Sequence, residues 1–364
     1  MADLHQLLKL MVAKEASDLH ITCGTPPHLR IDGHLVPLRS PPLSADDTRK
    51  LCFSFLTDAQ RETFEREREL DLSFGVKDLC RFRVNIFMQR GTVAGAFRVI
   101  PTKLPSFDSL GLPSIVGDLT SRARGLILVT GPTGSGKSTT MAAMLDKINR
   151  ERHHHIITIE DPIEHLHPHR NSLVNQREIG HDTAGFKEAL RYVLRQDPDV
   201  VLIGEMRDLE TVKAAMTIGE TGHLVLATLH TNSAVQSINR IIDLYPPHQQ
   251  SQVRAQMSLT LEAVISQQLL MKKSGVGRVL CSELMINTPA IRNLIREDKV
   301  HQIYSQMLVG QAKYGMQTMN QSLSNLYEGG QISYEDAFNH SNDVEELRHM
   351  IHGTGGPSPA APVS

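Results

Sequence analysis

Hydrophobic and polar residues follow helical and strand spacings through the first hundred residues. Apolar side chains at Leu4, Leu7, Leu8, Met11 and Val12 recur at i, i+3 and i+4, which predicts a short amphipathic helix over 4–13. Period-two alternation predicts strands further on, and a charge-dense stretch with opposite charges at i, i+4 predicts a helix. The predicted strands are 17–22, 28–31, 34–38, 70–76, 80–89 and 92–100, and the predicted helix is 44–68. An α+β domain over residues 1–100 is therefore expected.

A change of pattern marks a second domain. Pro101 and Pro105 interrupt both helix and sheet pairing, which predicts a linker over 101–113. Beyond it, short apolar runs alternate with Gly-rich turns and helical patterns, as is typical of a parallel α/β sheet. We expect this α/β domain over residues 114–352, with a mostly helical chain from about Thr260 onward. Gly, Pro and Ala dominate residues 353–364, so we expect a disordered tail.

Composition and charge narrow the class of protein. Lys and Arg number 38 against 40 Asp and Glu, a formal net charge of −2, whereas proteins that bind nucleic acid by charge usually carry a basic domain. The four cysteines include no Cys-x-x-Cys pair, so neither a zinc site nor a disulfide framework is indicated. The run His153–His155 is interpreted as a solvated turn rather than a metal site. No apolar stretch approaches the roughly 20 residues that span a bilayer, and no secretory leader is evident. We expect a cytoplasmic protein without a transmembrane segment.

A phosphate-binding loop is the strongest chemical signal. Residues 131–138 match G-x-x-x-x-G-K-[ST], after the apolar run 126–130 and before a helical pattern. Glycines let backbone N–H groups converge on phosphate, a helix N-terminus adds its positive end, the lysine reaches the β/γ-phosphates and the serine binds Mg²⁺. The predicted nucleotide-binding residues are Gly131, Pro132, Thr133, Gly134, Ser135, Gly136, Lys137, Ser138 and Thr139. ATP and Mg²⁺ are the expected cofactors.

Two acidic segments follow apolar runs. Glu160, Asp161 and Glu164 come directly after 156–159, at the end of a predicted strand, where ligands of open α/β sheets gather. Glu205 follows 200–203, although Gly204 occupies the position at which a Walker B segment usually carries aspartate. Glu164 is a candidate to orient or deprotonate water, and Glu205 to hold the metal, polarise the nucleophile, or both. For the first segment a solvated acidic loop is the alternative, and for the second an acid that follows an apolar run without a functional role, since this arrangement is common.

Basic groups complete the candidate site. His230 ends another predicted strand, where an imidazole could sense a γ-phosphate, although a single histidine is more often structural. Arg177, Arg191 and Arg195 lie between the acidic segments, and the last two are spaced i, i+4 on a predicted helix. An arginine supplied by a neighbouring subunit is a recurrent way to stabilise phosphoryl transfer, and ordinary surface arginines are the alternative.

With these residues assembled, the chain resembles the secretion and type IV pilus ATPase superfamily of P-loop ATPases, and within it the pilus retraction branch. Four family boxes occur in order: Walker A (131–138), Asp box (159–164), Walker B with glycine for aspartate (204–208) and His box (222–232). The segment 290–297 is similar to the retraction motif, and the paired Cys-x-x-Cys element of many extension and secretion ATPases is missing. Segments 17–20 and 30–33 also look like that branch, so the resemblance covers about residues 1–350.

The resemblance implies a PAS-like amino-terminal domain joined to a RecA-like ATPase core with a helical carboxyl-terminal part. It implies a homohexameric ring that hydrolyses ATP between subunits, lies at the cytoplasmic face of the inner membrane, and acts on a membrane platform protein to disassemble a pilus in twitching motility. Lys137 and Ser138 would then hold phosphate and Mg²⁺, Glu164 and Glu205 would handle water and metal, and His230 would lie near the γ-phosphate. Which glutamate is the base stays open.

Further expectations concern the first domain and the retraction motif. Arg81, Arg83 and Arg98, on alternating strands, are candidates to reach nucleotide across a subunit interface. In the motif, apolar residues at 291, 294 and 295 form one stripe, which is expected to be core, and the polar face is expected to meet a partner. Alternatives are an accessory retraction paralogue, an extension or secretion ATPase, and a nucleic-acid translocase. The translocase is disfavoured because the chain has no Trp and only 4% aromatic residues.

Overall fold

The computed structural model describes residues 3–31, 33–77, 79–100 and 104–352, and the chain forms two compact units. The first unit comprises residues 1–103 and 162–166, and the second comprises 104–161 and 167–364. The predicted tail 353–364, Asp32 of the segment 30–33 and residues 101–103 of the predicted linker lie outside the described residues. The grouping of 162–166 with the first unit has no counterpart in the sequence pattern.

The first unit is an α+β structure with one sheet. Its elements are α1 (Leu4–Ala13), β1 (Asp18–Ile21), β2 (His28–Ile31), β3 (His34–Pro37), α2 (Ala45–Phe53), α3 (Asp58–Glu67), β4 (Glu69–Val76), β5 (Cys80–Gln89) and β6 (Thr92–Ile100). The described strands pair antiparallel in the order β3-β2-β1-β6-β5-β4. Phe82, Val84 and Ile86 alternate inward along β5 and bury one sheet face against α1, α2 and α3. The six predicted strands are confirmed to within about two residues.

The predicted single helix over 44–68 is wrong, because two helices occupy that segment. The break falls at residues 54–57, where Thr57 starts α3 with a capping box: its hydroxyl accepts the N–H of Gln60, and the Gln60 amide accepts the N–H of Thr57. A second capping box, between Ser44 and Asp47, starts α2. The Thr-x-x-Gln spacing is the sequence signal that marks the break.

The second unit carries the predicted α/β core. Its elements are α4 (Ile115–Leu119), β7 (Gly125–Thr130), α5 (Lys137–Glu151), β8 (His155–Glu160), β9 (Leu173–Glu178), α6 (Phe186–Val193), β10 (Val200–Ile203), α7 (Leu209–Glu220), β11 (Leu224–Leu229), α8 (Ala234–Asp243), α9 (Pro247–Thr260), β12 (Leu261–Met271), β13 (Arg278–Ile286), α10 (Pro289–Arg296), α11 (Ile303–Tyr314), α12 (Met319–Glu328), α13 (Tyr334–Asn339) and α14 (Val344–His352). Single 3-10 turns lie at Phe107–Leu110, Leu194–Gln196 and Val300–Gln302.

A largely parallel sheet organises this unit. In its described part the strands run in the order β13-β12-β7-β11-β10-β8-β9, all parallel except β13, which pairs antiparallel with β12. Successive residues of β7 enter opposite layers: Leu126 and Leu128 pack on the side of α6 to α9, and Ile127 and Val129 pack on the side of α4 and α5. Both faces are covered, which is why the strand sequences are continuous apolar runs. The RecA-like α/β core is confirmed.

The expectation of a mostly helical chain from Thr260 is wrong over its first part. Strands β12 and β13 form a long hairpin there, turned at 272–277 with Gly275 and Gly277 at φ 75° and 79°. Most residues of β12 are good helix formers, such as Leu, Glu, Gln and Met. Because most of the strand is also buried, apolar and polar positions do not alternate along it, and the sequence does not indicate a strand. Pairing with β7 overrides that local preference. From α10 onward the chain is helical, as expected.

Part of the predicted linker is packed structure. Phe107 and Leu112 pack against the apolar cluster that includes α4 and α5, and a Cβ added at Gly117 of α4 would lie 3.4 Å from the Phe107 ring. The division at 101–113 stays a prediction. Within the described residues, no helix has the length and apolar character to span a bilayer.

Candidate nucleotide-binding site

The phosphate loop joins β7 to α5 at the carboxyl edge of the parallel sheet. Gly134 and Gly136 adopt φ angles of 81° and 93°, a region that glycine enters without strain, and Gly136 precedes the first helical residue. This path aims the N–H groups of the first turn of α5 into the loop. The Lys137 ammonium donates to the carbonyls of Gly131 and Pro132 at 2.8 and 2.9 Å. The loop therefore offers both backbone N–H groups and the Lys137 ammonium to a phosphate group.

The floor of the loop is fixed by β12. Gly131 has φ 140°, and a Cβ there would lie 2.3 Å from the carbonyl oxygen of Gln267. The buried Gln267 side chain also donates to Thr140 of α5 at 2.8 Å, and Ser266 of the same strand bonds Thr130 at 2.8 Å. Glycine at 131 is thus a packing requirement as well as a turn requirement. Gln267 carries no motif signal, so sequence reasoning missed it.

Glu205 and His230 meet beside the loop. They follow β10 and β11, which are adjacent parallel strands, and β11 also pairs with β7. The Nε2 atom of His230 lies 3.1 Å from Oε1 of Glu205, and Arg207 donates to Oε2 at 2.8 Å. The Arg207 hydrogen bond, with a further contribution from His230, lowers the pKa of Glu205 below its ordinary 4.5. The predicted convergence of Glu205 and His230 is therefore present, with the carboxyl held ionised.

Gly204 has a packing role that explains the missing aspartate. A Cβ at this position would lie 3.3 Å from the Cα of Glu160 and 3.3 Å from the carbonyl oxygen of Ile159. The Gly204 N–H donates to that same carbonyl at 2.8 Å, and its own carbonyl accepts the hydroxyl of Thr228. The Walker B strand thus lies directly against the backbone of the Asp box, leaving little room for a side chain.

The Asp box divides between the two units. Glu160 ends β8 in the second unit, where it accepts hydrogen bonds from Thr158 at 2.6 Å and Gln176 at 3.1 Å. Asp161 is exposed and contributes to the field at Arg207. Glu164 is also exposed, but it lies in the segment 162–166 that groups with the first unit. The role of Glu164 in handling water stays a prediction.

Two of the three candidate arginines of the second unit, Arg191 and Arg195, are exposed, and Arg177 is half-buried. Arg191 is in α6, whereas Arg195 is in the 3-10 turn that follows it, so the two do not share one α-helix as the spacing suggested. Their guanidinium carbons lie 5.7 and 5.9 Å from the centre of the Tyr192 ring. Arg177, on β9, donates to the carbonyl of Asp182 at 3.2 Å. Exposure leaves Arg191 and Arg195 available to a neighbouring subunit, which stays a prediction.

The arginines of the first unit share the outer face of its sheet. Arg83 and Arg98 lie directly opposite each other on β5 and β6, and Arg98 donates to Asp18 of β1 at 2.8 Å. Arg81 donates to the hydroxyl of Ser73 at 3.1 Å through Nε. Arg30 adds a further cation 3.8 Å from Asp18. Strand pairing thus gathers four cations on one face. The role of Arg81, Arg83 and Arg98 in reaching nucleotide across an interface stays a prediction.

The chain matches known proteins along almost its whole length. The family model of the type II/IV secretion system protein matches residues 1–338. The type IV pilus retraction ATPase PilT of Pseudomonas aeruginosa is 50% identical over 92% of this chain and 97% of its own. The type IV pilus ATPase PilU of the same organism is 42% identical over 96% and 91%. The crystal structure of the pilus retraction motor PilT with bound ADP superimposes with a TM-score of 0.91, at 51% identity, covering 96% of this chain and all of that one.

The match extends through both units, so it does not rest on the P-loop alone. The chain therefore belongs to the type II/IV secretion system protein family, among its PilT-like ATPases.

Proposed function

We propose that this chain is a hexameric ATPase motor that couples ATP hydrolysis to the retraction of a type IV pilus. The observation that carries the proposal is the convergence of the phosphate loop, Glu205 and His230 at one sheet edge, in a chain half identical to a pilus retraction ATPase. Each half of this observation supports a different part of the proposal. The site supports nucleotide hydrolysis, and the relative supports the pilus as the object of the work.

Nucleotide binding follows from the loop itself. Backbone N–H groups at the start of α5 receive the phosphates, and the positive end of the helix favours their negative charge. Lys137 already lies over the loop, with its ammonium on the carbonyls of Gly131 and Pro132, so phosphate oxygens replace those carbonyls as its partners. Because this ammonium is largely buried, its loss removes the main charge that offsets a triphosphate.

Hydrolysis requires an oriented water molecule, and Glu205 is the best-placed carboxylate of the second unit. Its lowered pKa makes it a weak proton acceptor but a permanent hydrogen-bond acceptor at neutral pH. Glu205 therefore orients water, and His230 and Arg207 hold the carboxylate in place. Glu164 is the second candidate for this role.

Magnesium fits the residues present. The Ser138 hydroxyl at the start of α5 and the Glu205 carboxylate are oxygen donors, as Mg²⁺ prefers, and a metal that keeps its waters and binds phosphate needs few protein ligands. In the part of the chain that the structure describes, no cluster of three or more His, Cys, Asp or Glu offers an all-protein metal cage, in keeping with such a site. When bound, Mg²⁺ neutralises charge on the phosphates.

The motor is expected to work as a homohexamer at the cytoplasmic face of the inner membrane, on a platform protein of the pilus machine. The exposed arginines of both units then serve as groups offered across subunit interfaces. Helix α10, which carries most of the retraction motif, buries Ile291 and Ile295 in the core, and Asn293, Arg296 and the following residue Glu297 are exposed. That polar face supports the proposed coupling of the ring to a partner.

Complementation tests the pilus part of the proposal. A Pseudomonas aeruginosa strain that lacks its own PilT receives the wild-type chain or its Lys137→Ala variant at matched expression, and twitching zones and surface piliation are measured. We expect the wild type to restore twitching and reduce piliation, and the variant to do neither. Restoration by both proteins would contradict an ATP-driven role.

An accessory role beside a main retraction motor is the second candidate. It is favoured by 42% identity to PilU over almost the whole chain. The same assay separates the two roles when it is repeated in strains that lack PilU or both proteins. A main motor restores twitching in the absence of both, whereas an accessory motor restores it only where PilT is present.

A further inference from the structure

Glu283 is a buried carboxylate that joins the N-termini of two helices. It lies in the middle of β13, and the residue is 2% exposed. Its Oε1 accepts the backbone N–H of Ala234 at 2.7 Å, and the carboxylate also accepts the backbone N–H of Met319. Ala234 and Met319 are the first residues of α8 and α12, where N–H groups lack partners within their own helix. The carboxylate therefore serves as a shared cap.

Helix α8 leads directly back to the nucleotide-facing edge. Only three residues separate its start from His230, and each is fixed to the first turn of the helix. The Thr231 hydroxyl bonds that of Ser237 at 2.6 Å, the Asn232 N–H donates to the Gln236 side chain at 3.1 Å, and Ser233 caps α8. The Nε2 atom of His230 lies 3.1 Å from Glu205. A shift of the start of α8 must therefore move the imidazole.

Helix α12 leads the other way, into the carboxyl-terminal helices. Asn320, its second residue, donates to the carbonyl of Asp343 at 2.8 Å and to the carboxylate of Glu346 on α14. Tyr304 of α11 donates to the same Glu346 carboxylate. One polar network thus ties α11, α12 and α14 together at the end of α12 that Glu283 holds.

The charge environment shows that the carboxylate is held by these N–H groups. Among the described residues no Lys, Arg or His forms an ion pair with Glu283, and the titratable groups that interact with it are Tyr304 and Cys281. Glu346 acts on Tyr304 from α14. Burial raises the pKa of Glu283 to about 7, and the hydrogen bonds from Ala234 and Met319 oppose that rise. The ionised form depends on both helix ends being in place.

We propose that Glu283 is a positioning residue for ATP hydrolysis, which anchors the helix behind His230 and links that histidine to the carboxyl-terminal helices. The inference rests on the proposed ATPase activity. Glu283 touches no reacting group. Glu283 acts through the start of α8. Its removal should lower kcat much more than it changes the KM for ATP, because the phosphate loop is held by β7 and β12.

A double-mutant cycle between Glu283 and His230 tests the proposal on the full-length oligomer. Glu283→Gln preserves shape but replaces one acceptor oxygen by an NH₂ group, so one helix N–H loses its partner. We expect its kcat for ATP to fall about tenfold, the scale of a slightly displaced catalytic group, with KM within about twofold. If Glu283 acts through His230, the Glu283→Gln change costs little further turnover in a His230→Ala background.

Asn287→Ala is the matched control. Asn287 is buried just past β13 and donates to the carbonyls of Ser258 and Leu261 at 3.0 and 2.6 Å, away from α8. Its effect on turnover should be the same with and without His230. The proposal would be overturned if the losses of turnover caused by Glu283→Gln and His230→Ala were fully additive in the double variant. It would also be overturned if Glu283→Gln left kcat unchanged.

A second variant keeps the test decisive if Glu283→Gln does not assemble. Ala234→Pro deletes the N–H that Glu283 accepts, at the first helical position, where proline is tolerated. It should reproduce the loss of kcat and the non-additivity with His230→Ala, and normal turnover in this variant would overturn the proposal. Absence of turnover in the wild type would refute the proposed ATPase activity itself, a result distinct from either outcome for Glu283.

Discussion

Replacing Gly204 by aspartate should damage the protein, although it restores the residue usual in a Walker B segment. A Cβ at 204 would lie 3.3 Å from Glu160 Cα, 3.3 Å from the Ile159 carbonyl oxygen and 3.8 Å from the Asp161 nitrogen. Favourable carbon contacts begin at about 3.5 Å. The neighbours are backbone atoms of the paired strand β8, so they can yield only if the two strands move apart by a few tenths of an ångström.

The cost follows from that geometry. Overpacking of this kind costs about 1–3 kcal/mol. We expect Gly204→Ala to lower the free energy of unfolding by about 1 kcal/mol. Gly204→Asp should lower it by about 3 kcal/mol, because the aspartate carboxylate adds bulk and charge beside the backbone of the Asp box. Any shift also moves Glu205, the next residue, so turnover by Gly204→Asp should fall about tenfold or more.

Urea unfolding and ATP turnover measure the two effects. Gly75→Ala is the control, because a Cβ at Gly75 meets no atom within 4 Å and the backbone there needs no special conformation. The control should be within about 0.5 kcal/mol of the wild type. A Gly204→Asp variant with wild-type stability and turnover would refute the packing explanation for the missing aspartate.

Three further predictions follow from named contacts. Phe97 is fully buried, and its ring centre lies 5.8 Å from that of Phe55. Phe97→Ala should therefore lower the free energy of unfolding, measured in urea, by about 3–5 kcal/mol. Leu294→Gln should abolish twitching yet preserve part of the ATP turnover, whereas Ile295→Gln should unfold the unit, because Leu294 is only partly buried and Ile295 is fully buried. Since the pKa of Glu283 rises from 4.5 to about 7, its ionisation costs stability. The unfolding free energy of the wild type should therefore fall relative to Glu283→Gln as pH rises from about 4.5 to 7, then level off.

The parts of the fold that were predictable share a local cause. Strand β5 alternates because one face of its sheet is buried, and β7 is continuously apolar because both of its faces are buried. The phosphate loop can be recognised in the sequence because the backbone of the loop itself requires its glycines. In each case the chemistry that fixes the structure lies within about ten consecutive residues.

The parts that were missed depend on distant residues. Strand β12 looks helical in isolation, and only its pairing with β7 makes it a strand. Gln267 and Glu283 are inconspicuous in sequence, and both act across more than 40 positions, on Thr140 and on Ala234. The grouping of 162–166 with the first unit is likewise a tertiary property.

ATP turnover by the purified chain, normalised to the hexamer mass, tests the central claim most directly. Wild type, Lys137→Ala and Glu205→Ala are compared with and without Mg²⁺, and with single-stranded DNA or RNA added in parallel. We expect a hexamer whose ATP turnover depends on Mg²⁺, is abolished in both variants and does not change when nucleic acid is added. Undiminished turnover in Glu205→Ala, or strong stimulation by nucleic acid, would contradict it and favour a translocase.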